Sequence, residues 1–158
     1  MCIRDRYQFT KNSVSKTIVV VAHRILLAQQ LCAEFLEQNL DGNYNVGVDV
    51  LHVHSGETHH TSTTKTKEIE EWYHNSIKNQ LIFTTYHSLH RIADSLDIEV
   101  DTIYFDEAHN AIQKNFIESV EYYSMYAKRC YFFTATPKHS KTPFKIGMND
   151  EDLSLIHI

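Results

Sequence analysis

The sequence of 158 residues has few cysteines, few glycines and no long apolar run. Its three cysteines, Cys2, Cys32 and Cys130, are not spaced in pairs, which argues against a disulfide framework and against a zinc ribbon. The longest apolar run covers residues 18–22, whereas a membrane helix needs roughly 20 apolar residues. We therefore expect a soluble, cytoplasmic protein that does not contact a membrane.

The charge and the histidine content bear on two classes of partner. A formal net charge of −5 is unfavourable for binding nucleic-acid phosphates, although backbone amides, hydroxyls or a second domain can supply such contacts. The 11 histidines suggest a metal site, above all at His52, His54, His59 and His60. No cysteine or carboxylate completes a ligand set at the usual spacing, so we expect no metal ion there.

Short β-branched or aromatic runs alternate with amphipathic helical stretches along most of the chain. This alternation predicts one α/β domain with a doubly wound, mostly parallel sheet. The predicted strands cover residues 17–22, 46–54, 80–85, 102–105 and 130–134. The predicted helices cover residues 25–38, 68–77, 88–96 and 116–127.

Two adjacent carboxylates, Asp106 and Glu107, follow the predicted strand at residues 102–105, and His109 comes two residues later. The carboxyl ends of strands in open α/β sheets are where ligands bind. One carboxylate at such a position can hold Mg²⁺ while its neighbour polarises a water molecule, which are the two side-chain tasks of nucleotide hydrolysis. The alternative is structural: both carboxylates cap the next helix and favour its dipole.

The next predicted strand also ends in polar residues, Thr134 and Thr136, followed by Pro137. Hydroxyl groups at a neighbouring strand end can hydrogen-bond the carboxylate cluster and transmit its state to other parts of the protein. The alternative for this segment is a strand that ends in an ordinary proline turn.

Five segments together resemble the superfamily two DEAD/DEAH-box helicases and translocases. Asp-Glu-Ala-His at residues 106–109 and Thr-Ala-Thr-Pro at residues 134–137 are similar to motifs II and III of that family. Ala-His-Arg at residues 22–24 resembles motif Ia in the branch of restriction-enzyme motor subunits and phage helicases. His-Ser-Gly at residues 54–56 matches a short family element. Thr-Tyr-His-Ser-Leu at residues 85–89 resembles the family's Thr-Tyr-Gln-Ser-Leu, with His87 in place of glutamine.

The resemblance implies an incomplete RecA-like domain that uses ATP and Mg²⁺. It implies that Asp106 holds Mg²⁺, that Glu107 acts on the hydrolytic water, and that three residues couple hydrolysis to movement, namely His109, Thr134 and Thr136. It also implies DNA rather than RNA as partner, a second RecA-like domain in the same protein, and a bacterial or phage-infected cell. The implied nucleic-acid contacts are His23, Arg24, Ser55, Gly56, Thr85 and Tyr86.

Simpler alternatives stand beside two of these nucleic-acid contacts. Arg24 can be an exposed charge at the start of a helix, because a basic side chain at such a position needs no partner. Tyr86 can pack in the core, since an aromatic ring after a buried strand often does so. Taken one at a time, both residues are better explained by these alternatives than by contact with a strand.

The sequence departs from the family at the phosphate-binding loop. It has four glycines and no G-x-x-x-x-G-K-[ST] segment, and Ser-Lys-Thr at residues 15–17 leads into a strand and not into a helix. We therefore expect residues 7–150 to be part of an N-terminal RecA-like domain without its first strand and phosphate loop. Residues 1–6 and 154–158 are expected to be non-native ends, and the natural protein is expected to continue beyond both.

Three hypotheses of function remain open at this point. The first is a piece of an ATP-dependent helicase or translocase that is inactive by itself. The second is a truncated binding module for nucleic acid or protein, without enzymatic activity. The third, a zinc hydrolase built on Asp106, Glu107 and His109, is weak because no H-E-x-x-H or comparable set is present.

Overall fold

The structure is a computed structural model that describes residues 16–41, 48–76, 79–111, 113–134 and 154–157. Helices and strands alternate along the chain, as the sequence predicts. The strands are β1 (Thr17–Ala22), β2 (Val48–Val53), β3 (Thr61–Ser62), β4 (Asn79–Thr85), β5 (Thr102–Phe105), β6 (Arg129–Thr134) and β7 (Ser154–His157). The helices are α1 (Ile25–Asp41), α2 (Thr66–Asn75), α3 (Leu89–Ala93) and α4 (Ile117–Tyr126).

The seven strands form one sheet in the order β3-β2-β4-β1-β5-β6-β7, and all six neighbouring pairs are parallel. Strand β1 lies near the middle, where Val20 is paired with Phe83 of β4 on one side and with Tyr104 of β5 on the other. Every residue of β1 is buried. A continuous β-branched run suits this position because both faces of a parallel sheet are covered by helices.

Two apolar clusters lie on the two faces of the sheet. On one face, Val19 and Val21 pack with residues of α2, α3 and α4, including Ile69, Ile92 and Val120. On the other face, Ile18 and Val20 pack with residues of α1, including Ala28, Leu31 and Phe35. The alternation along β1 follows from the two-residue period of a strand. The sheet edge is thereby fixed on a rigid, two-sided core.

The longest helix of the described residues is α1, with 17 residues, and its apolar stripe matches the predicted one through Leu31 and Phe35. All four helices differ from their predicted bounds by one to a few residues, as is usual at helix ends: α1 ends later, at Asp41, α2 lies at Thr66–Asn75, α3 covers Leu89–Ala93 alone, and α4 lies at Ile117–Tyr126. No helix in the described ranges combines the length and the apolarity needed to cross a membrane.

The parallel α/β fold is confirmed, and the bounds of β1 and β5 are those predicted. Five strands were predicted, and that number is wrong because β3 and β7 also belong to the sheet. Strand β3 has two residues, which is too short to show an alternating pattern. Residues 1–6 and 158 lie outside the described residues, and pairing of β7 with β6 does not bear on whether residues 154–157 are native.

Candidate functional site

The predicted functional segments lie at one edge of the sheet. Parallel strands all point the same way, so their carboxyl ends meet at the same edge, with neighbours about 4.8 Å apart. Residues 54–56 follow β2, and residues 85–86 lie at the end of β4. Residues 23–24 follow β1, residues 106–109 follow β5, and Thr134 ends β6. Thr136 lies outside the described residues.

Asp106 is held by hydrogen bonds on both sides of its backbone. Its N–H donates to the carbonyl oxygen of Val21 at 2.9 Å, and its carbonyl oxygen accepts from the Tyr86 hydroxyl at 2.9 Å. Burial, together with the nearby Asp106 and Glu107 carboxylates, raises the pKa of Tyr86 well above its usual value, so its hydroxyl stays a donor. The carboxylate of Asp106 therefore projects from a fixed backbone.

The turn at Glu107 separates the two carboxylates. Glu107 has φ 49° and ψ 52°, the left-handed region that a residue other than glycine adopts at a cost. Its side chain makes no capping hydrogen bond to the 3₁₀ turn that follows, Ala108–Asn110. That turn has three residues, too few for a helix dipole to build up. The geometry therefore does not favour the helix-cap alternative for Glu107.

His109 lies between Glu107 and Thr134. Its Nδ1 atom is 3.4 Å from Oε2 of Glu107 and 3.2 Å from Oγ1 of Thr134. The amide of Asn110 donates to Nε2 of His109 at 3.4 Å, and Gln113 fixes that amide by donating to its oxygen at 2.8 Å. Nε2 is thus an acceptor, so the ring carries a proton on Nδ1 and can donate it to one of two acceptors.

The donor groups at the end of β5 fit Mg²⁺ in part. Asp106 is partly exposed and offers hard carboxylate oxygens, the ligands that Mg²⁺ prefers. Within the described residues, no group of three or more histidine, cysteine, aspartate or glutamate side chains is arranged to hold a metal ion. A magnesium ion held by Asp106 would take its other ligands from water and from phosphate oxygens, as is usual for Mg²⁺.

The segments after β2 and β1 are packed against each other. A Cβ atom added to Gly56 would lie 2.5 Å from Cγ2 of Ile25, at the start of α1, so glycine is needed for this close approach. Ser55 and Arg24 are exposed on the two segments. Their side chains are therefore available for contact with a ligand at this end of the sheet.

The segment after β4 is buried. Thr85 is 4% exposed and Tyr86 is 2% exposed, and the Tyr86 ring stacks with Phe105. The burial favours the core-packing alternative for Tyr86, because a side chain covered to this degree does not touch a strand outside the protein. His23 is partly exposed, although its Nδ1 atom is buried.

A chain of hydrogen bonds runs through His54 and His52, and the sequence did not predict it. The N–H of Gly56 donates to Nδ1 of His54 at 3.1 Å, and Nε2 of His54 lies 3.0 Å from Nδ1 of His52. Because Nδ1 of His54 accepts, its proton is on Nε2, and that proton is donated to His52. The sequence feature that could have predicted it is the pair of histidines two residues apart at a predicted strand, because this spacing places both rings on one face.

The two buried histidines are held neutral. Burial lowers the pKa of His52 from 6.5 to about 4, with smaller contributions from His54 and His60. Burial also lowers the pKa of His54, partly offset by its bond from Gly56. The proton pattern leaves His52 with N–H at Nε2, which has no lone pair to offer a metal ion. The chemistry of the ring thus argues against the metal hypothesis for this histidine.

The family comparison identifies the family of the chain. The family model described as Type III restriction enzyme, res subunit, matches residues 1–139 of the chain. The chain belongs to this family. The res-subunit family is one of ATP-dependent helicase and translocase motor domains. No curated protein matches the chain in sequence.

A solved structure has the same fold as this res-subunit chain. The ATP-dependent Type ISP restriction-modification enzyme LlaBIII bound to DNA superposes with a TM-score of 0.68 at 18% sequence identity. The alignment covers 98% of this chain and 12% of that enzyme. At this identity the likeness concerns the fold. The chain thus spans about an eighth of the length of the enzyme that it resembles.

Proposed function

We propose that this chain is part of the first RecA-like domain of an ATP-dependent DNA helicase or translocase. The observation that supports it is the order of segments along the sheet edge. The segments proposed to contact the strand follow β2, β4 and β1, and the carboxylates and Thr134 follow on β5 and β6. The strand contacts and the site of hydrolysis are thus neighbours on one rigid sheet.

In this proposal Asp106 holds Mg²⁺ on ATP and Glu107 orients and polarises the attacking water. The positions of the two carboxylates follow from the two hydrogen bonds that hold the Asp106 backbone, which we call the Asp106 clamp, and from the turn at Glu107. Such a pair supplies electrostatic stabilisation and water positioning, the two main needs of phosphoryl transfer. The phosphate loop that would cradle the triphosphate is not in these 158 residues.

Coupling to movement is proposed to run through His109, Thr134 and Thr136. The proton on Nδ1 of His109 has two acceptors within reach, the Glu107 carboxylate and the Thr134 hydroxyl. If the Glu107 carboxylate engages a water molecule at the γ-phosphate, the proton on Nδ1 of His109 is donated to the Thr134 hydroxyl instead. A change at the nucleotide would thereby reach the end of β6.

At the strand-binding segments, Arg24 and Ser55 are the proposed side-chain contacts, and the backbone near His23 and Thr85 is proposed as an amide contact. Gly56 is proposed to keep this segment close to α1, since its own N–H donates to His54. Exposed Arg24 can pair with phosphate, and exposed hydroxyls and amides can bind phosphate oxygens without a basic surface. This fits a chain of net charge −5. The preference for DNA follows the family and the DNA to which the enzyme of similar fold is bound.

The test is ATP hydrolysis by the longer protein that we propose contains this chain. Genomic sequence upstream of the codon for Tyr7 should encode a phosphate loop in frame, and the longer protein should hydrolyse ATP faster with DNA than without it. The 158-residue chain should show no hydrolysis. A start codon with a promoter immediately upstream of the codon for Tyr7, or hydrolysis by the 158-residue chain itself, would contradict the proposal and favour a binding module or another mechanism.

A further inference from the structure

The hydrogen-bond chain at β2 ends in a donor that no protein group accepts. Gly56 fixes the proton of His54 on Nε2, and His54 in turn fixes the proton of His52 on its own Nε2. The Nε2 atom of His52 is buried and has no hydrogen-bond partner, and the residue is 1% exposed. Leaving a buried donor unsatisfied costs free energy, so the site favours a ligand that brings an acceptor.

His52 lines a cavity of about 420 Å³ between α1 and the loop after β2. This volume lies in the range of small-ligand sites. Gln29, Cys32 and Ala33 form the helix wall, and residues 57–60 form the loop wall. The residues that line it include no lysine or arginine to pair with a phosphate group, and they include Glu57. A neutral ligand fits better, with an acceptor for His52 and a donor for Glu57.

The cavity adjoins a second one that offers polar groups to a sugar-phosphate backbone. That neighbour, of about 580 Å³, is lined by Ser55, Gly56, Ser62, Thr64 and Lys65 and also by Glu68, which is paired with Lys65 at 2.9 Å, and the two cavities share Glu57, Thr58 and His60. Hydroxyls, backbone amides and a lysine are the groups that contact phosphates and sugars. A strand with its backbone in the second cavity would thus have a base within reach of the first.

We propose that the cavity at His52 binds one base of the nucleic-acid strand, with His52 Nε2–H donating to an acceptor on the edge of the base. A nucleobase is planar and neutral, and its edge carries the acceptor and donor groups that this lining requires. The exposed ring of His60 stacks on His52 with ring centroids 5.9 Å apart, so the base would reach Nε2 of His52 after the His60 side chain rotates. This inference rests on the proposed function for the identity of the strand.

The test uses nitrogen-15 NMR of the histidine rings in the 158-residue chain, with nucleosides as probes because they carry no phosphate. Without ligand, His52 and His54 should both carry their proton on Nε2. Millimolar adenosine or cytidine should shift the His52 Nε2 resonance in a saturable manner, whereas deoxyribose 5-phosphate should not. Ala33→Leu, which fills the cavity, should weaken nucleoside binding at least tenfold, and Gln30→Leu, on an exposed helix position outside the lining, should not.

Three results would overturn the inference: a proton on Nδ1 of His52, no saturable shift with any nucleoside, or an equal shift with the sugar phosphate. The tautomer measurement needs no variant, so misfolding of Ala33→Leu would not weaken the test. The assay contains no ATP. If no nucleoside bound while the longer protein still showed DNA-stimulated hydrolysis, the inference about this cavity would be rejected and the proposed function would stand. If nucleosides bound and the longer protein showed no DNA-stimulated hydrolysis, the proposed motor function would be rejected and the inference about the cavity would stand.

Discussion

At the β5-β6 half of the sheet edge, the side chains of Glu107 and His109 are 44% and 23% exposed, whereas His52 and His54 on the β2 half are each 1% exposed. The two halves also differ in how protons are held. His109 can donate to either of two acceptors, while the N–H of Gly56 fixes the protons of His54 and His52 in one pattern.

The difference shows how one sheet edge can carry two kinds of site. Partly exposed groups exchange partners at low cost because water can replace a lost hydrogen bond, which suits a step that changes with the nucleotide. Buried groups keep one arrangement because any unpaired atom is costly, which suits recognition by a fixed pattern of donors. Variants and conditions that disturb one half should leave the other half unchanged.

The largest effect on stability is expected from acid at the β2 half. The pKa of His52 is about 4 in the folded chain against 6.5 in the unfolded chain, so the unfolded state binds more protons between these values. The contribution of neutral His52 to the free energy of unfolding is fully present above about pH 6.5. It is lost as the pH drops towards 4, by on the order of 3 kcal/mol. Urea unfolding between pH 7.5 and 4.5 measures this loss.

Two variants show whether the acid loss comes from His52. His52→Gln keeps an acceptor for His54 and cannot gain a charge, so its stability should depend less on pH. His59→Gln, at an exposed position, should behave like the unmodified chain. Equal acid sensitivity in His52→Gln would assign the loss to other groups.

A smaller effect is expected from Asp106→Asn in the longer protein. Loss of the carboxylate charge should weaken binding of Mg²⁺-ATP by about 10- to 100-fold, as for changes at metal ligands and their supports. Fluorescent-nucleotide titrations with and without Mg²⁺ measure the change. Asp94→Asn, at an exposed residue after α3, is the matched control. Unchanged Mg²⁺-nucleotide affinity in Asp106→Asn would remove Asp106 from the metal site.

Next in size is Tyr86→Phe in the 158-residue chain. The substitution removes the hydroxyl that donates to the Asp106 carbonyl and keeps the buried ring. The free energy of unfolding should fall by about 1 kcal/mol, the usual worth of one hydrogen bond. Tyr122→Phe, at a side chain 40% exposed, should change it by less than about 0.5 kcal/mol. Equal effects would show that the clamp contributes nothing.

A small effect on stability is expected from Thr134→Ala, because its hydrogen bond to a partly exposed histidine is lost. In the longer protein, together with Thr136→Ala, it should leave ATP hydrolysis largely intact and reduce movement along DNA per ATP. Strand-displacement and hydrolysis assays in parallel measure the ratio. Thr134→Ser retains a hydroxyl and should restore it. A fall in hydrolysis equal to the fall in movement would contradict a coupling role.

Much of the fold followed from local pattern, but the contacts of the site did not. The apolar run at Thr17–Ala22 and the strand before Asp106 predict a buried parallel sheet, because period and composition are properties of neighbours in sequence. The clamp from Tyr86 and the meeting of His109 with Thr134 join residues 20 and 25 positions apart. Such contacts depend on strand order, which a single sequence pattern does not specify.

The most direct test of the catalytic assignment is Glu107→Gln in the longer protein, with Glu118→Gln on the exposed start of α4 as control. Loss of a positioned general base should slow DNA-stimulated ATP hydrolysis by about 10²- to 10⁴-fold. Affinity for ATP and for DNA should stay unchanged, because the β2 half and the Asp106 clamp are intact. Hydrolysis at the unmodified rate, with Glu107→Gln indistinguishable from Glu118→Gln, would contradict the catalytic assignment and return the carboxylate pair to a structural role.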